Sequence, residues 1–233
     1  MKKIIVTIDG PAGAGKSTTA RLVAEELQYI YIDTGAMYRA VTLAALRNAT
    51  PLDDAHLGPL AENCSIAMEP SKMGQRVLLN GEDVTQAIRG SNVTDSVSKV
   101  SSFPSVRRAL VQRQRSIGLN GGVVMDGRDI GSVVFPHAEV KVFLVADTDE
   151  RVRRRLREAT ERGEAADDST IRRQITERDK LDSERAESPL IVPNGATQID
   201  TTSLTIEEQV NRILQLVRAY QSTYGLVSLF GNI

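Results

Sequence analysis

The chain is nearly devoid of cysteine, and Cys64 is the single example. One thiol can form neither an internal disulfide nor a thiolate metal cluster, so the fold does not depend on an oxidising compartment. We interpret Cys64 as a buried structural thiol. The location that agrees best with this cysteine usage is the cytoplasm, where thiols stay reduced.

Neither sign of charge is in excess, and aromatic residues are scarce. The chain has 29 Lys and Arg against 30 Asp and Glu, a formal net charge of −1, and only 4% aromatic residues with no Trp. Such a composition lacks the electrostatic footprint of a protein that binds nucleic acid. We therefore expect no nucleic-acid partner, and any anion must be bound by a local cluster of charge.

Long apolar runs are also missing. Met1-Lys2-Lys3 precedes an apolar stretch that resembles the start of a signal peptide, but Asp9-Gly10-Pro11 interrupts it. No stretch approaches the roughly 18 consecutive apolar residues that a membrane-spanning helix needs. We expect a cytoplasmic monomer with no membrane partner.

The chain does contain the alternating pattern of an α/β fold. With 233 residues, 41% of them hydrophobic, it can form one core domain with small insertions. Strand-like apolar runs lie at residues 4–8, 29–32, 123–125 and 140–145 and around Ile199, and helical patterns lie between them at residues 17–27, 37–46, 106–117, 151–161 and 206–220. This alternation predicts a parallel sheet flanked by helices, with ligands bound at the carboxyl ends of the strands.

Two segments depart from this alternation. Between residues 48 and 104, short alternating runs at 64–68 and 76–79 are followed by Asn80-Gly81, which is the pattern of a small antiparallel hairpin insertion. Between residues 150 and 187 lies a helical segment dense in both signs of charge. Each of its arginines taken singly is typical of a solvated helix face, whereas the group together is suited to form a lid over phosphates.

One motif carries a specific chemical signal. Residues Gly10-Pro11-Ala12-Gly13-Ala14-Gly15-Lys16-Ser17 match the phosphate-binding pattern G-x-x-x-x-G-K-[ST], between a predicted strand and a predicted helix. The glycines allow the backbone N–H groups to form an anion nest at the helix N-terminus. We expect residues 10–18, including Thr18, to bind the triphosphate of ATP, with Lys16 on its β- and γ-phosphates and the Ser17 hydroxyl as a Mg²⁺ ligand.

The phosphate loop is shared by kinases, motor ATPases and GTPase switches, so the second substrate depends on other residues. Asp33-Thr34-Gly35-Ala36-Met37-Tyr38-Arg39 follows the second strand and opens a helix. Thr34, Tyr38 and Arg39 are therefore expected at a neighbouring edge of the sheet, where an acceptor would bind. Taken singly, Tyr38 is equally typical of helix packing and Arg39 of a surface ion pair.

A further strand ends in Asp126-Gly127-Arg128-Asp129, the Walker B position at which an acid faces the metal. Spacing alone does not decide whether Asp126 or Asp129 does so. Arg128 suits bidentate phosphate binding, and an ionised Asp129 can accept hydrogen bonds from a base amine. A turn stabilised by a local Arg–Asp pair is the structural alternative.

These motifs, in this order, resemble those of bacterial cytidylate kinases within the nucleoside monophosphate kinases. The resemblance extends over essentially the whole chain and includes Phe103-Pro104-Ser105-Val106-Arg107 and Glu177-Arg178-Asp179-Lys180-Leu181-Asp182-Ser183-Glu184-Arg185. Adenylate kinases typically carry Asp-Gly-Phe-Pro-Arg where this chain has Gly127-Arg128-Asp129. The resemblance implies a P-loop kinase of pyrimidine metabolism that transfers phosphate from ATP to CMP and dCMP with Mg²⁺. It also implies a monophosphate-binding insertion at about residues 34–105 and a helical lid at about 148–187.

The resemblance further implies a role for each matching residue. Cytosine would be read by Ser98, Arg107 and Asp129, and the ribose would be held by Arg178 and Asp182. The acceptor phosphate would be held by Tyr38, Arg39, Arg128 and Arg185, beside Thr34, which replaces a Ser found in many family members. Catalytic contacts are expected from Lys16, Arg128, Arg153 and Arg154, the last two from the lid.

The chemistry of cytosine agrees with these roles. Its N4 amine donates and its N3 and O2 atoms accept, so a carboxylate and an arginine are complementary to it. Uracil would place a carbonyl against Asp129, and UMP should be the poorer substrate. The attacking phosphate oxygen is already ionised, so the two histidines, His56 and His137, which lie outside every motif, are not needed as bases.

Three other functions fit the phosphate loop less well. A shikimate-kinase-like enzyme for a non-nucleotide acceptor would not need the enlarged insertion or Gly127-Arg128-Asp129. A GTP-dependent switch would need Asp-x-x-Gly and Asn-Lys-x-Asp, and the sequence contains neither. An ATPase associated with nucleic acid would need a basic surface, which a net charge of −1 does not favour.

Overall fold

A computed structural model of the protein describes residues 3–71, 74–161, 163 and 165–225. The C-terminal segment 226–233, for which the sequence indicates no function, lies outside the described residues. The strands are β1 (Ile5–Asp9), β2 (Ile30–Asp33), β3 (Ile66–Ser71), β4 (Gly74–Leu79), β5 (Glu82–Asp83), β6 (Val123–Gly127), β7 (Val140–Val145) and β8 (Thr197–Asp200). The helices are α1 (Lys16–Leu27), α2 (Thr34–Arg47), α3 (Asp54–Asn63), α4 (Ser91–Val100), α5 (Pro104–Gly118), α6 (Thr148–Glu161), α7 (Asp168–Ser183) and α8 (Ile206–Gly225).

Five strands form the central sheet in the order β2-β6-β1-β7-β8, and every neighbouring pair is parallel. This arrangement confirms the predicted α/β class. Ile4, Val6 and Ile8 lie on one face of the sheet and are buried with residues of α1 and α8. Met125 of β6 is buried on the other face with Val111 of α5, so apolar side chains lie on both faces, as a parallel sheet covered on both sides requires. Helices therefore protect the sheet, and its carboxyl edge is left for ligands.

Three neighbouring strands of this sheet deliver an aspartate to the same edge. Asp9 ends β1, Asp33 ends β2, and Asp126 is the last residue but one of β6. In the strand register Asp33 is paired with Asp126, and Ile8 is paired with Asp126 on the other side. Parallel pairing thus brings three aspartates to one edge of the sheet, with Asp33 and Asp126 in register on one face and Asp9, which is paired with Gly127, on the other.

A second, antiparallel sheet of three strands has the order β3-β4-β5. It confirms the predicted hairpin, and Asn80-Gly81 forms the turn from β4 to β5 with φ angles of 52° and 87°. Two successive positive φ angles are what favour Asn-Gly in tight hairpin turns. The helices α3 and α4, which precede and follow this sheet in the chain, were not predicted from the sequence.

The helices around the small sheet form cores of their own. Leu57 of α3, Val97 of α4 and Leu110 of α5 are buried in one cluster with residues of α2. Cys64 lies in the adjoining cluster and is a buried free thiol, as interpreted from the sequence. The small sheet is therefore attached to the central sheet through packed helices.

Two charged helices, α6 and α7, follow β7. An ion pair of 2.7 Å between Arg172 and Asp149 joins them on the exposed side. On the buried side Arg151 of α6 contacts Asp179 of α7 at 2.7 Å. Within the part of the chain that the structure describes, no helix is both long and apolar enough to cross a membrane.

Candidate active site

A cavity of about 1030 Å³ lies at the carboxyl edge of the central sheet. Its walls come from the phosphate loop, α2, the small sheet, the end of β6, and the helices α6 and α7. The residues predicted from the sequence that line it are Ala12, Gly13, Gly15, Lys16, Ser17, Thr18, Thr34, Tyr38, Arg39, Arg107, Arg128, Asp129, Arg178, Asp182 and Arg185. The predicted site residues outside this lining are Gly10, Pro11, Ala14, Ser98, Arg153 and Arg154.

The phosphate loop depends on glycine at three positions. Gly10, Gly13 and Gly15 have φ angles of 146°, 78° and 88°, which side-chain-bearing residues rarely adopt. At Gly10 there is also no space, because a Cβ atom would lie 2.1 Å from the Leu144 carbonyl oxygen. Gly15 is the N-cap of α1, so the positive end of this helix faces the cavity.

Three carbonyl oxygens of the loop are bonded by residues behind it. Ala12 O accepts from Arg151 at 3.2 Å, and Gly13 O accepts from Arg154 at 3.4 Å. Ala14 O accepts from the Thr201 hydroxyl at 3.1 Å. Since N–H and C=O of a trans peptide point in opposite directions, these bonds favour the amide-inward conformation that an anion nest requires.

The arginines of α6 differ in how they lie relative to the cavity. Arg154 binds Thr201 O at 2.6 Å and the loop carbonyl, and lies outside the cavity lining. Arg153 is 71% exposed and pairs with Glu150. Arg155, which the sequence reasoning did not single out, lines the cavity and pairs with Glu158 at 2.8 Å. Side chains of successive helical residues point about 100° apart. The rotation of α6 about its axis therefore directs Arg155, but not Arg153 or Arg154, into the cavity.

Asp126 is the carboxylate beside the phosphate loop. The Ser17 hydroxyl donates to Asp126 Oδ2 at 2.9 Å, and the Tyr31 hydroxyl donates to Oδ1 at 2.9 Å. The sequence left Asp126 and Asp129 as alternatives for the metal, and this geometry favours Asp126. Burial raises the pKa of Asp126 to about 7, with Asp33 adding to the rise and Lys16 opposing it.

Tyr31 was missed, although its place as a polar residue near the end of β2 was a usable signal. Thr34 is buried and donates to the Asp126 backbone oxygen at 2.7 Å. Lys16 is buried too, and its amine donates to Pro11 O at 2.6 Å. Burial lowers the pKa of Lys16 well below its usual value, and the charge of Arg128 lowers it further. A bound phosphate would supply the negative charge that this buried amine lacks.

Asp129, two residues beyond the end of β6, forms a buried ion pair with Arg107. Arg107 also donates to Ser101 O at 3.0 Å, and its guanidinium lies 5.4 Å from the centre of the Tyr38 ring. Ser101 lines the cavity, whereas Ser98 is one turn earlier in the chain and outside the lining. The pair thus presents both a hydrogen-bond acceptor and a donor to the cavity.

Three arginines surround Asp182. Arg128 donates to it at 2.7 Å, Arg185 forms a second hydrogen bond, and Arg178 Nε lies 4.0 Å away. Burial alone would raise the pKa of Asp182, but these arginines together lower it to about 2. Burial lowers the pKa of Arg178 to about 9. Because three positive charges face one negative charge, the cluster is suited to bind a phosphate.

Arg39 is held at the edge of α4. It donates to the Thr94 hydroxyl at 2.9 Å and to Ile88 O at 3.4 Å. Burial lowers the pKa of Arg39 to about 10, which still leaves it charged at neutral pH. It therefore adds a further positive charge to the cavity wall.

The donor set beside the phosphate loop fits Mg²⁺. Among residues 3–71, 74–161, 163 and 165–225, no three His, Cys, Asp or Glu side chains are arranged to hold a metal ion. A hydroxyl and a carboxylate 2.9 Å apart, Ser17 and Asp126, are however present. Mg²⁺ in phosphoryl-transfer sites typically takes few protein oxygens and completes its shell with phosphates and water.

Comparison with known proteins gives consistent matches. The model of the family described as cytidylate kinase matches residues 6–219. The cytidylate kinase of Geobacillus sp. (strain WCH70) is 53% identical over 215 residues, covering 92% of this chain and 96% of the relative. That of Bacillus subtilis (strain 168) is 50% identical over 217 residues, covering 93% and 97%.

Among solved structures, an uncharacterized protein from Eubacterium ventriosum ATCC 27560 aligns with a TM-score of 0.52. Its sequence is 13% identical, and the alignment covers 93% of this chain and 99% of that one. At this identity the likeness shows the fold alone.

The arginine cluster predicts a pH-dependent stability. The pKa of Asp182 falls from 3.8 to about 2 on folding, which corresponds to roughly 2 kcal/mol of stabilisation. Because the folded pKa is the lower one, this contribution is complete above the unfolded pKa and is lost as the pH falls through the folded pKa. We expect Asp182→Asn to lower the free energy of unfolding by about 2 kcal/mol at pH 7 and by about half as much at pH 3. Urea unfolding at both pH values measures the difference, and an equal loss at both would show that the charge is not responsible.

Proposed function

The chain belongs to the cytidylate kinase family and phosphorylates CMP and dCMP with ATP, and we propose the following roles for its residues in that reaction. The observation that carries the proposal is one cavity that joins the phosphate loop to the buried Arg107–Asp129 pair. The loop alone is shared by many ATP- and GTP-binding proteins, whereas a neighbouring site for a base is what a nucleotide kinase needs.

The donor half of the cavity holds ATP. The backbone of residues 10–18 surrounds the triphosphate, Lys16 contacts its β- and γ-phosphates, and Ser17 and Asp126 hold Mg²⁺. When bound, the metal neutralises charge on the phosphates and favours the ionised form of Asp126, whose pKa burial raises to about 7. Arg151, Arg154 and Thr201 do not touch the nucleotide in this proposal and instead hold the carbonyl groups of the loop.

The acceptor half reads cytosine through a donor and an acceptor. Asp129 accepts a hydrogen bond from the N4 amine, and Arg107 donates to N3 or O2. Both side chains are at most 6% exposed, so a base that leaves either one unpaired is strongly disfavoured. The predicted contact of Ser98 stays a prediction, and Ser101 is a second hydroxyl near the same position.

The ribose and phosphate of CMP bind at the cluster of arginines around Asp182. Asp182 and Arg178 hold the ribose, and Tyr38, Arg39, Arg128 and Arg185 hold the phosphate. Arg128 and Arg185 are hydrogen-bonded to Asp182. The phosphate of CMP, a dianion, would replace part of this pairing and bind guanidinium groups that are already positioned.

The transfer itself needs positions and charges rather than a strong base. The acceptor oxygen is ionised at neutral pH and attacks the γ-phosphorus in line with the leaving oxygen of ADP. Lys16, Arg128 and Arg155, which all line the cavity, stabilise the charge of the transferred group. We further propose that residues 148–187 and the insertion at about 34–105 close over the nucleotides, because water is the competing nucleophile. The cytoplasmic location and the monomeric state stay predictions.

A panel of acceptors tests the proposed function. Initial rates with ATP and CMP, dCMP, UMP, AMP or shikimate should be highest for the two cytidine nucleotides. UMP should be poorer by about tenfold or more, because an ionised Asp129 would face its carbonyl oxygen. A preference for AMP, UMP or shikimate would contradict the proposed acceptor site.

Removal of the loop lysine tests the donor site. Lys16→Ala should lower kcat by at least about a hundredfold, equivalent to roughly 3 kcal/mol, because a positioned charge is lost from the transition state. Lys99→Ala is the matched control, since Lys99 is exposed on α4 and outside the cavity lining. Near-normal turnover of Lys16→Ala with intact nucleotide binding would exclude this mechanism.

A comparison of neighbouring arginines tests the lid contact. Arg155→Ala should lower kcat about tenfold or more with little change in the KM for CMP, because Arg155 faces the cavity. Arg153→Ala has the same chemistry on the exposed face of the same helix, and its kcat should stay within about twofold. If Arg153→Ala is the more damaging change, the lid rotates on closing and the original expectation for Arg153 holds.

A further inference from the structure

Asp9 is a buried carboxylate that neither the phosphate site nor the acceptor site uses. It is the last residue of β1, directly before the phosphate loop, and it is 0% exposed. Its Oδ1 atom accepts a hydrogen bond from the N–H of Ile130 at 2.8 Å, and its Oδ2 atom accepts one from Gly131 at 2.7 Å. One side chain thus bonds two consecutive amides that lie 121 and 122 residues later in the chain.

These amides open the helical turn Ile130–Val134, which follows Asp129. An aspartate in the position of Asp129 usually caps such a turn with its own carboxylate. Within the described residues, Asp129 makes no such bond, and its carboxylate is paired with Arg107. Asp9 therefore supplies the cap from a neighbouring strand, and Asp129 is left free to face the cavity.

We propose that Asp9 is a positioning residue for base recognition: by capping the turn in place of Asp129, it keeps the Asp129 carboxylate directed at Arg107 and the acceptor base. The inference rests on the proposed role of Asp129 in reading cytosine.

The packing around the turn leaves little freedom for another arrangement. β1 pairs with β6 so that Asp9 lies opposite Gly127. A Cβ atom on Gly131 would lie 2.8 Å from Thr7 Oγ1 and 3.2 Å from Asp9 Oδ2. The turn therefore packs directly on the end of β1. A change in the position of the Asp9 side chain should displace the turn and with it Asp129.

A buried carboxylate at position 9 is unfavourable unless it has hydrogen-bond partners. Burial raises the pKa of Asp9 to about 7, the nearby charge of Asp129 raises it further, and the two backbone N–H groups oppose the rise. A neutral residue would avoid this desolvation. The two hydrogen bonds from Ile130 and Gly131 offset part of this cost, and each needs one of the two carboxylate oxygens of Asp9.

A double-mutant cycle tests the coupling between the two aspartates. Asp9→Asn keeps the size of the side chain but turns one acceptor into a donor that faces an N–H group. We expect kcat/KM for CMP to fall about tenfold, mainly through KM for CMP, while KM for ATP stays within about twofold. The ratio of CMP to UMP activity should fall as well. In an Asp129→Asn background, Asp9→Asn should have little further effect on CMP, because the group that it positions is already lost.

Two further variants keep the test decisive. Gly131→Ala displaces the turn from Asp9 without changing either carboxylate, so it should lower the same CMP to UMP ratio even if Asp9→Asn does not fold. Val217→Ala, buried on α8 far from this turn in the chain, is the control for lost stability and should leave the ratio unchanged.

Equal losses for CMP and UMP, or additive effects of the two aspartate substitutions, would overturn the inference and leave Asp9 a stabilising residue only. If the unmodified enzyme shows no preference for CMP over UMP, the proposed function itself fails. If it prefers CMP but the variants behave as just described, only the inference about Asp9 fails.

Discussion

The parallel pairing of β1 with both β6 and β7 is the constraint on which the site depends. It brings the phosphate loop, which follows β1, beside Asp126, the last residue but one of β6, so that Ser17 and Asp126 are hydrogen-bonded across 109 residues of sequence. The same register places Asp9 opposite Gly127 and carries Arg128 and Asp129 to the phosphate loop. The proposed donor and acceptor sites are therefore adjacent because β1 pairs with β6.

Buried ion pairs then connect this sheet edge to the surrounding elements. Arg107 of α5 binds Asp129, Arg128 binds Asp182 of α7, and Arg151 of α6 binds Asp179 of α7. Buried charges need such partners, since desolvation is otherwise unfavourable. Where the ligand is itself an anion, arginines held by carboxylates are already in position, and binding requires an exchange of partners rather than the ordering of free side chains.

Much of the fold and of the site followed from local sequence patterns. The phosphate loop, the parallel sheet and the Asn80-Gly81 turn were predicted, because each depends on a short pattern with a steric or hydrophobic cause. The helices α3 and α4 were not predicted. Pro59 interrupts the pattern of α3, and α4, whose Val93, Val97 and Val100 repeat at helical spacing, lies within the segment that was interpreted as a hairpin insertion. Both helices are stabilised by burial of Leu57 and Val97 against other helices.

The sequence by itself determined that the chain binds a phosphate and belongs with nucleotide kinases, because positive φ angles at glycine and ordered motifs are local properties of the chain. Only the tertiary structure decided that Asp126 faces Ser17, that Asp129 faces Arg107, and that Arg155 rather than its neighbours lines the cavity. Those choices depend on strand register and helix rotation, which are set by packing between residues far apart in the chain and are not encoded in the spacing of a motif.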